Sequence, residues 1–238
     1  MSRLKSLNPQ FAQKAKVVYN SVEPHAGPIA GTPLPDWSGG PLLLCVAQHR
    51  RNKNILLALQ VFERLLRSRR VPSGTQLSIV GIRGPETPVI KEFIARSGLM
   101  QRVVLCNGIS DSQLQWCYRN CILLLAPSIV EGFGLPVAEA LLAGCRVVCS
   151  DIAAFRELGG SKCCYVPLGP LQVEAFTDAV CAALRKPVPE PLLLPQFSHS
   201  VIADAYVGLY RSLLPVPAVN SSSNETRVHP AGERQYLL

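Results

Sequence analysis

Across residues 41–168, short continuous apolar runs alternate with stretches of helical period, and this alternation leaves the chain very few folds. Six runs read as strands: 42–47, 76–80, 103–106, 122–126, 146–149 and 164–166. They are continuously apolar, where a sheet with one wet face would alternate. A strand buried on both sides needs helices on both faces, which is the condition of a parallel sheet. The intervening segments 55–69, 87–97, 111–120, 136–143 and 152–158 supply those helices. In the first of them Ile55, Leu59, Phe62 and Leu66 recur at helical spacing, with Glu63, Arg67 and Arg70 off that face. Ser110, followed three residues on by Gln113, resembles a capping box, and Leu114 opens the buried face behind it. Such alternation implies right-handed crossovers, so the expected class is α/β with a single Rossmann-like, doubly wound parallel sheet. Two further helices, 172–185 and 199–214, follow the sheet, separated by the Pro-rich link 187–195.

The ends differ in character. Residues 215–238 are rich in Ser, Asn and Pro and have little to bury, so a disordered tail is expected there. Its two N-x-S/T sequons, Asn220 and Asn224, matter only in a secretory pathway. Residues 1–40 hold one helical pattern, a strand-like piece at 17–19 and a Pro/Gly-rich loop, too little for a domain. The expected body is therefore 41–214, and no internal repeat is visible.

Composition narrows the class further. With 48% hydrophobic residues a large core is available and global disorder is excluded. No run approaches the roughly 18 apolar residues of a membrane span. Residues 1–19 are basic without an apolar stretch, unlike a secretory signal. Nine cysteines are present, but Cys45, Cys106, Cys121, Cys145, Cys149 and Cys163 lie in apolar runs, where a thiol packs as a small hydrophobe. Cys163 and Cys164 face opposite sides of a strand and read as packing residues too. No C-x-x-C pair or zinc-spaced Cys/His set appears. A reducing cytoplasm is the expected compartment, with the inner face of a membrane left open.

The formal charge of +8 suits nucleic acid, an anionic membrane or a phosphate-bearing ligand. The basic residues are scattered or close helices, as Arg64, Arg67, Arg69 and Arg70 do, where cations suit the helix dipole. Nucleic-acid binding is disfavoured; a weak attraction to anionic lipid stays open.

The richest stretch runs from Pro127 to Ala140. An apolar strand enters the turn Glu131-Gly132-Phe133-Gly134, and a helix follows with Pro136 near its first position and Gly144 just past its end. Gly132 and Gly134 allow positive φ and close approach of backbone to a ligand. The helix start offers free N–H groups and the positive end of a dipole, a ready phosphate site. Glu131 and Glu139 flank this turn. One suits a sugar or phosphate, the other a ribose diol, whose two hydroxyls a carboxylate can accept.

Glu131 and Glu139, with seven residues between them enclosing Gly-Phe-Gly-Leu-Pro, resemble the donor-site motif of family 4 retaining glycosyltransferases (glycosyl transferases group 1), which have the GT-B fold. The resemblance extends to 45–54, 77–81, 98–114, 143–160 and 197–211, in family order and spacing. It implies that Glu131 contacts the transferred sugar or its departing phosphate, and that the backbone of Gly132, Phe133, Gly134 and Leu135 holds sugar and diphosphate. Glu139 would bind the ribose. The turn Asn107-Gly108-Ile109-Ser110 corresponds to the base-binding segment. Lys53 matches the family lysine of the loop after the first strand. Gln48 stands where the family carries arginine, and Arg50 or Arg51 could substitute. No metal and no separate cofactor is implied; basic side chains and the helix dipole stabilise the leaving diphosphate. Local capping and ion pairing account for Ser150, Asp151, Arg156 and Glu157; packing or surface placement accounts for Trp116 and Tyr118. His49 and His199 have no evident acid partner.

In the same family an acceptor-binding domain precedes the donor domain. Here only 16–22 resembles its last strand and exit, so 1–40 reads as a remnant and linker. The helix at 199–214 would normally pack on that domain, and its apolar face is expected to lie open. The implied activity is retaining transfer of a hexose, mannose or glucose, from a nucleotide-diphosphate sugar, as in polysaccharide biosynthesis, with an acceptor domain or partner subunit supplied. The alternatives are an inactive, regulatory or vestigial nucleotide-sugar-binding module and, less favoured, a sugar-nucleotide epimerase half.

Overall fold

The computed structural model describes residues 8–24, 33–34 and 36–214. Its centre is a six-stranded sheet: β1 (Leu42–Val46), β2 (Gln76–Val80), β3 (Val103–Cys106), β4 (Leu123–Ala126), β5 (Val147–Ser150) and β6 (Cys164–Val166). The order is β3-β2-β1-β4-β5-β6 and every pairing is parallel. The expected class is therefore observed, with strand ends moved by one residue in β1, β4 and β5.

The helices are α1 (Pro9–Lys14), α2 (Ile55–Arg67), α3 (Thr87–Arg96), α4 (Asp111–Asn120), α5 (Leu135–Leu142), α6 (Ala153–Gly159), α7 (Gln172–Leu184) and α8 (His199–Leu213). The pleat sends alternate residues of β1 to opposite faces. Leu43 and Cys45 join a core with Ile55, Leu59 and Phe62 of α2, Ile90 of α3 and Phe176 of α7. Leu42 and Leu44 join a second core with Cys117 and Tyr118 of α4, Val137 and Leu141 of α5 and Phe155 of α6. Both faces being dry explains the continuous apolar runs. In α2, Leu65 is fully buried and Leu66 only partly, because the buried face also takes in Leu57, Ala58 and Val61 and leaves Leu66 at its edge. The capping box at Ser110 and Gln113 forms as expected.

The thiols fit the packing expectation: all nine are free, Cys163 lies against the second core and Cys164 against the first. The basic end of α2 is a solvated, paired surface, with Arg64 on Glu174, Arg67 on Glu63 and Arg70 on Asp178. Among the described residues no helix is long and apolar enough to cross a membrane.

Packing does not stop at Pro41. Leu34 and Trp37 belong to the second core, and Trp37 meets Trp116 edge-on with ring centroids 4.8 Å apart. Residues 17–19, expected as strand-like, pair with no strand. Instead Tyr19 and Val22 form a third cluster with Phe133, Ala138, Leu142, Leu158, Leu194 and Phe197. The expected tail at 215–238, with Asn220 and Asn224, lies outside the described residues, as does most of the Pro/Gly-rich loop.

On α8 only Ile202 is buried, while Val201, Tyr206, Val207, Tyr210 and Leu213 are exposed, so its apolar face lies open as expected.

Candidate functional site

The strand order reverses between β1 and β4: β1 leads outward to β2 and β3, β4 to β5 and β6. The loops leaving their carboxyl ends must diverge, and they leave a crevice between them where open α/β sheets take ligands. The β1 loop carries Gln48, Arg50, Arg51 and Lys53; the β4 loop carries Ser128, Glu131 and the glycines. Both are tied together. Asn52 accepts the Ile129 backbone N–H through its own carbonyl at 2.8 Å and donates its side-chain amide to the Val130 carbonyl at 3.3 Å.

Across this tie Lys53 Nζ lies 2.7 Å from both carboxylate oxygens of Glu131. Ser128 donates to Glu131 Oε1 at 2.8 Å. The pair is largely sheltered, with side-chain exposures of 20% and 11%, so its charges feel less of the screening that weakens surface pairs. It lines a small cavity with Cys45, Ala47, Ala126, Pro136, Val137 and Phe155. Burial pushes the Cys45 thiol up to about 12 even though Lys53 pulls it down, so Cys45 is a packing thiol beside the cation.

The Gly-rich turn enters α5 through Gly134, whose φ of +103° lies in the glycine-favouring region. A Cβ there would also stand 2.8 Å from the Phe155 ring. Gly132 differs from expectation: its φ is not positive and a Cβ there would meet nothing, so the fold itself does not require glycine at this position. Pro136 occupies the first turn of α5, and Gly144 follows its C-cap. N–H groups of the first turn have no acceptor within their own helix. Phe133 adds a contact that motif reading does not supply. Its ring lies 5.1 Å from that of Phe197 and 6.1 Å from that of Tyr19, which in turn donates its hydroxyl to Glu157. Leu135 is exposed at the turn's mouth.

Glu139, on the next turn of α5, is held from α4: the Tyr118 hydroxyl donates to its Oε2 at 2.7 Å. Burial raises the Glu139 carboxyl above its ordinary value, and the Tyr118 bond pulls it back. Burial, with the neighbouring carboxylate, raises the Tyr118 phenol well above its ordinary value. The turn Asn107–Gly108–Ile109 leaves β3 and runs into the Ser110 cap of α4, with only Ile109 partly tucked against the second core.

Gln48 and Arg50 are exposed, and Arg50 and Arg51 border a depression with Asn54, Glu86 and Ile129, outside the lining of the Lys53–Glu131 cavity. Among the described residues neither arginine forms an ion pair. His49 is buried and its Nδ1 lies 2.9 Å from Thr87 Oγ1; His199, expected to be unpartnered, has Glu23 3.3 Å from its Nδ1. Arg156 grips Asp151 through two bonds of 2.6 and 2.8 Å, the expected local ion pair. Among the described residues no three His, Cys, Asp or Glu side chains converge as a metal site. Ser128 and the Tyr118 hydroxyl were not foreseen at the site. The stripe Leu114, Cys117, Tyr118, Cys121 already turns Tyr118 inward, but its partner depends on how α4 packs on α5.

Residues 40–186 match the family described as glycosyl transferases group 1. Over 149 residues the chain is 32% identical to the O-antigen chain mannosyltransferase B of Escherichia coli, covering 63% of this chain and 38% of that protein. Over 95 residues it is 37% identical to the lipopolysaccharide core biosynthesis mannosyltransferase LpsB of Rhizobium meliloti (strain 1021), 39% of this chain and 26% of that one. The chain thus spans well under half the length of these relatives. The pneumococcal O-GlcNAc transferase GtfA, solved with UDP and GlcNAc, has the same fold over 89% of this chain and 44% of its own, with TM-score 0.67 at 18% identity. The lipopolysaccharide outer core galactosyltransferase WaaB matches with TM-score 0.61 at 20% identity, over 85% of this chain and 57% of its own. The six-stranded parallel sheet is that of a GT-B glycosyltransferase domain, and with well over half of its residues matched the chain belongs to the glycosyl transferases group 1 family.

Proposed function

We propose that this chain is the donor-binding part of a retaining, metal-independent hexosyltransferase, taking a nucleotide-diphosphate sugar in the crevice between β1 and β4. The observation that carries the reading is the Lys53–Glu131 pair, 2.7 Å across that crevice and next to the N-terminus of α5. The mannosyltransferase relatives favour mannose as the sugar, ahead of glucose.

The diphosphate would lie against the backbone N–H groups of Gly132, Phe133, Gly134 and Leu135, where the α5 dipole favours negative charge. Lys53, already paired with Glu131, would then have a second anionic partner. As the glycosidic bond to phosphate breaks, charge accumulates on the departing oxygen, and donors already in place stabilise it without reorganising. Arg50 and Arg51, in the family's arginine region, add positive charge from the loop, and the neutral Gln48 offers only its amide. Glu131 positions the sugar, Glu139 takes the ribose hydroxyls, and the backbone of Asn107, Gly108 and Ile109 reads the base. An acceptor-binding domain, in the same polypeptide or a partner subunit, completes the reaction.

Calorimetric titration with UDP, GDP and ADP, each with magnesium and with a chelator, tests the reading. One diphosphate should bind equally in both conditions and measurably more weakly to Glu139→Ala. Binding that requires magnesium, or a folded chain that binds none of the three, overturns it. Donor binding without transfer once an acceptor domain is supplied would support the inactive module instead.

A further inference from the structure

Resting on the donor-site reading above, we propose that Tyr118 is a positioning residue: through its 2.7 Å hydrogen bond it holds the Glu139 carboxylate in the orientation that receives the ribose diol. Tyr118 is 1% exposed, and its ring belongs to the second core with Leu44, Cys117, Val137 and Leu141. A ring packed so tightly has one placement for its hydroxyl, and a buried hydroxyl without a partner would be costly.

The directions of the two side chains agree with that role. Both α4 and α5 start at the carboxyl edge of the sheet, and helical side chains lean toward the start of their helix. Tyr118, near the far end of α4, therefore reaches back toward the edge, and Glu139 on α5 leans the same way. An ionised carboxylate offers about four acceptor sites. Tyr118 occupies one on Oε2, which leaves Oε1 and the second Oε2 site for two neighbouring hydroxyls. A glutamate with this bond has already lost rotamer freedom that an unheld one would lose on binding.

The same bond gives α4 a second purpose. Its first turn is capped by Ser110, directly after the Asn107–Ile109 turn, while Tyr118 lies two turns on. One short helix thereby sets both the base-facing turn and the carboxylate beneath the ribose, in fixed relation.

The test is Tyr118→Phe, which removes one oxygen and keeps the ring. Affinities are measured calorimetrically for the nucleoside diphosphate that wild type binds and for its 2′-deoxy and 3′-deoxy analogues. Tyr118→Phe should bind the ribonucleotide about tenfold more weakly. Its affinity for the deoxy analogues should stay near that of wild type, so that discrimination between ribose and deoxyribose shrinks. In a Glu139→Ala background the same change should have no effect on any of the ligands. If Tyr118→Phe weakens ribonucleotide and deoxynucleotides equally, or weakens none, the positioning role is wrong while the donor site stands. If wild type itself does not distinguish ribose from deoxyribose, the ribose role of Glu139 fails and this proposal fails with it. Should Tyr118→Phe fold poorly, Glu139→Gln offers the second reading. It keeps an acceptor for Tyr118 but loses a site for the diol, so discrimination should fall there also, and an unchanged preference for ribose overturns the proposal.

Discussion

Lys53 pairs with Glu131 and would gain the diphosphate as a second anion, which separates its structural from its binding contribution. Replacing it by Ala leaves Glu131, at 11% exposure, with Ser128 as its remaining donor. The expected cost is roughly 1–3 kcal/mol, read from urea unfolding. The affinity for nucleoside diphosphate should fall about 10- to 100-fold, with affinity for the nucleoside alone unchanged. Equal losses for both ligands would remove Lys53 from the diphosphate. Glu139 gives a pH signature. Its carboxyl is raised by burial, opposed by the Tyr118 bond and assisted by Asp111, with Gln115, Arg119 and Glu23 bordering the same depression. A raised acid favours the protonated folded state, so its contribution to stability is present below the unfolded value and lost as pH rises through the folded one. Ribose binding runs the opposite way, because only the ionised form accepts from both hydroxyls. Nucleotide affinity should therefore fall, on acidification, at a pH above the ordinary value of a glutamate carboxyl. Glu139→Gln should flatten that profile and match or exceed wild-type melting temperature at neutral pH; a lower one would mean that the ionised carboxylate stabilises the fold.

At the scale of elements, the Gly-rich turn is held from both directions. Gly134→Ala would place a Cβ 2.8 Å from the Phe155 ring at a φ of +103°. It should cost roughly 1–3 kcal/mol and weaken donor binding, seen by melting and calorimetry together. On the other side the ring cluster of Tyr19, Phe133 and Phe197 pins the turn to segments outside the sheet. Phe197→Ala should lose about 3–5 kcal/mol, and amide exchange at 131–135 should quicken more than in the strands. Unaltered protection there would mean that the turn holds itself. How far these elements were legible follows from where their information lies. The six strands announce themselves as continuous apolar runs, and the Ser110 cap and the Gly144 stop are local chemistry. Helix limits shift by a residue or two because Leu135 and Gly159 join helices through backbone bonds that side-chain patterns do not report. Residues 17–19 look like a strand because β-branched and aromatic residues suit strands, yet Tyr19 spends its ring on Phe133 and Phe197. That Glu131 and Glu139 flank the Gly-rich turn is evident in the chain, while their roles rest on the family resemblance. Ser128 on Glu131 required the curl of the loop, and Tyr118 on Glu139 required the packing of two helices.

For the molecule as a whole, among the described residues the outer face of α8 exposes Tyr206, Tyr210 and Leu213 side by side. Apolar patches of this kind drive association. Sedimentation should show the wild-type chain self-associating with concentration, and the triple change Tyr206→Gln, Tyr210→Gln, Leu213→Gln should leave it monomeric; an unchanged profile would place the sticky surface elsewhere. The strand order has a further consequence for the growing polypeptide. β1, β2 and β3 are consecutive in the chain and pair with one another, so this half of the sheet can form early. The inner edge of β1 then waits for β4, about eighty positions later, to cover its free amides and carbonyls. Parallel pairings over such separations are slow, because loop closure must precede any gain from contact. The crevice that straddles this seam therefore comes into existence only once β4 has docked on β1. A ligand held there, as proposed above, would secure a molecule whose two halves have already met and would have nothing to grip before then.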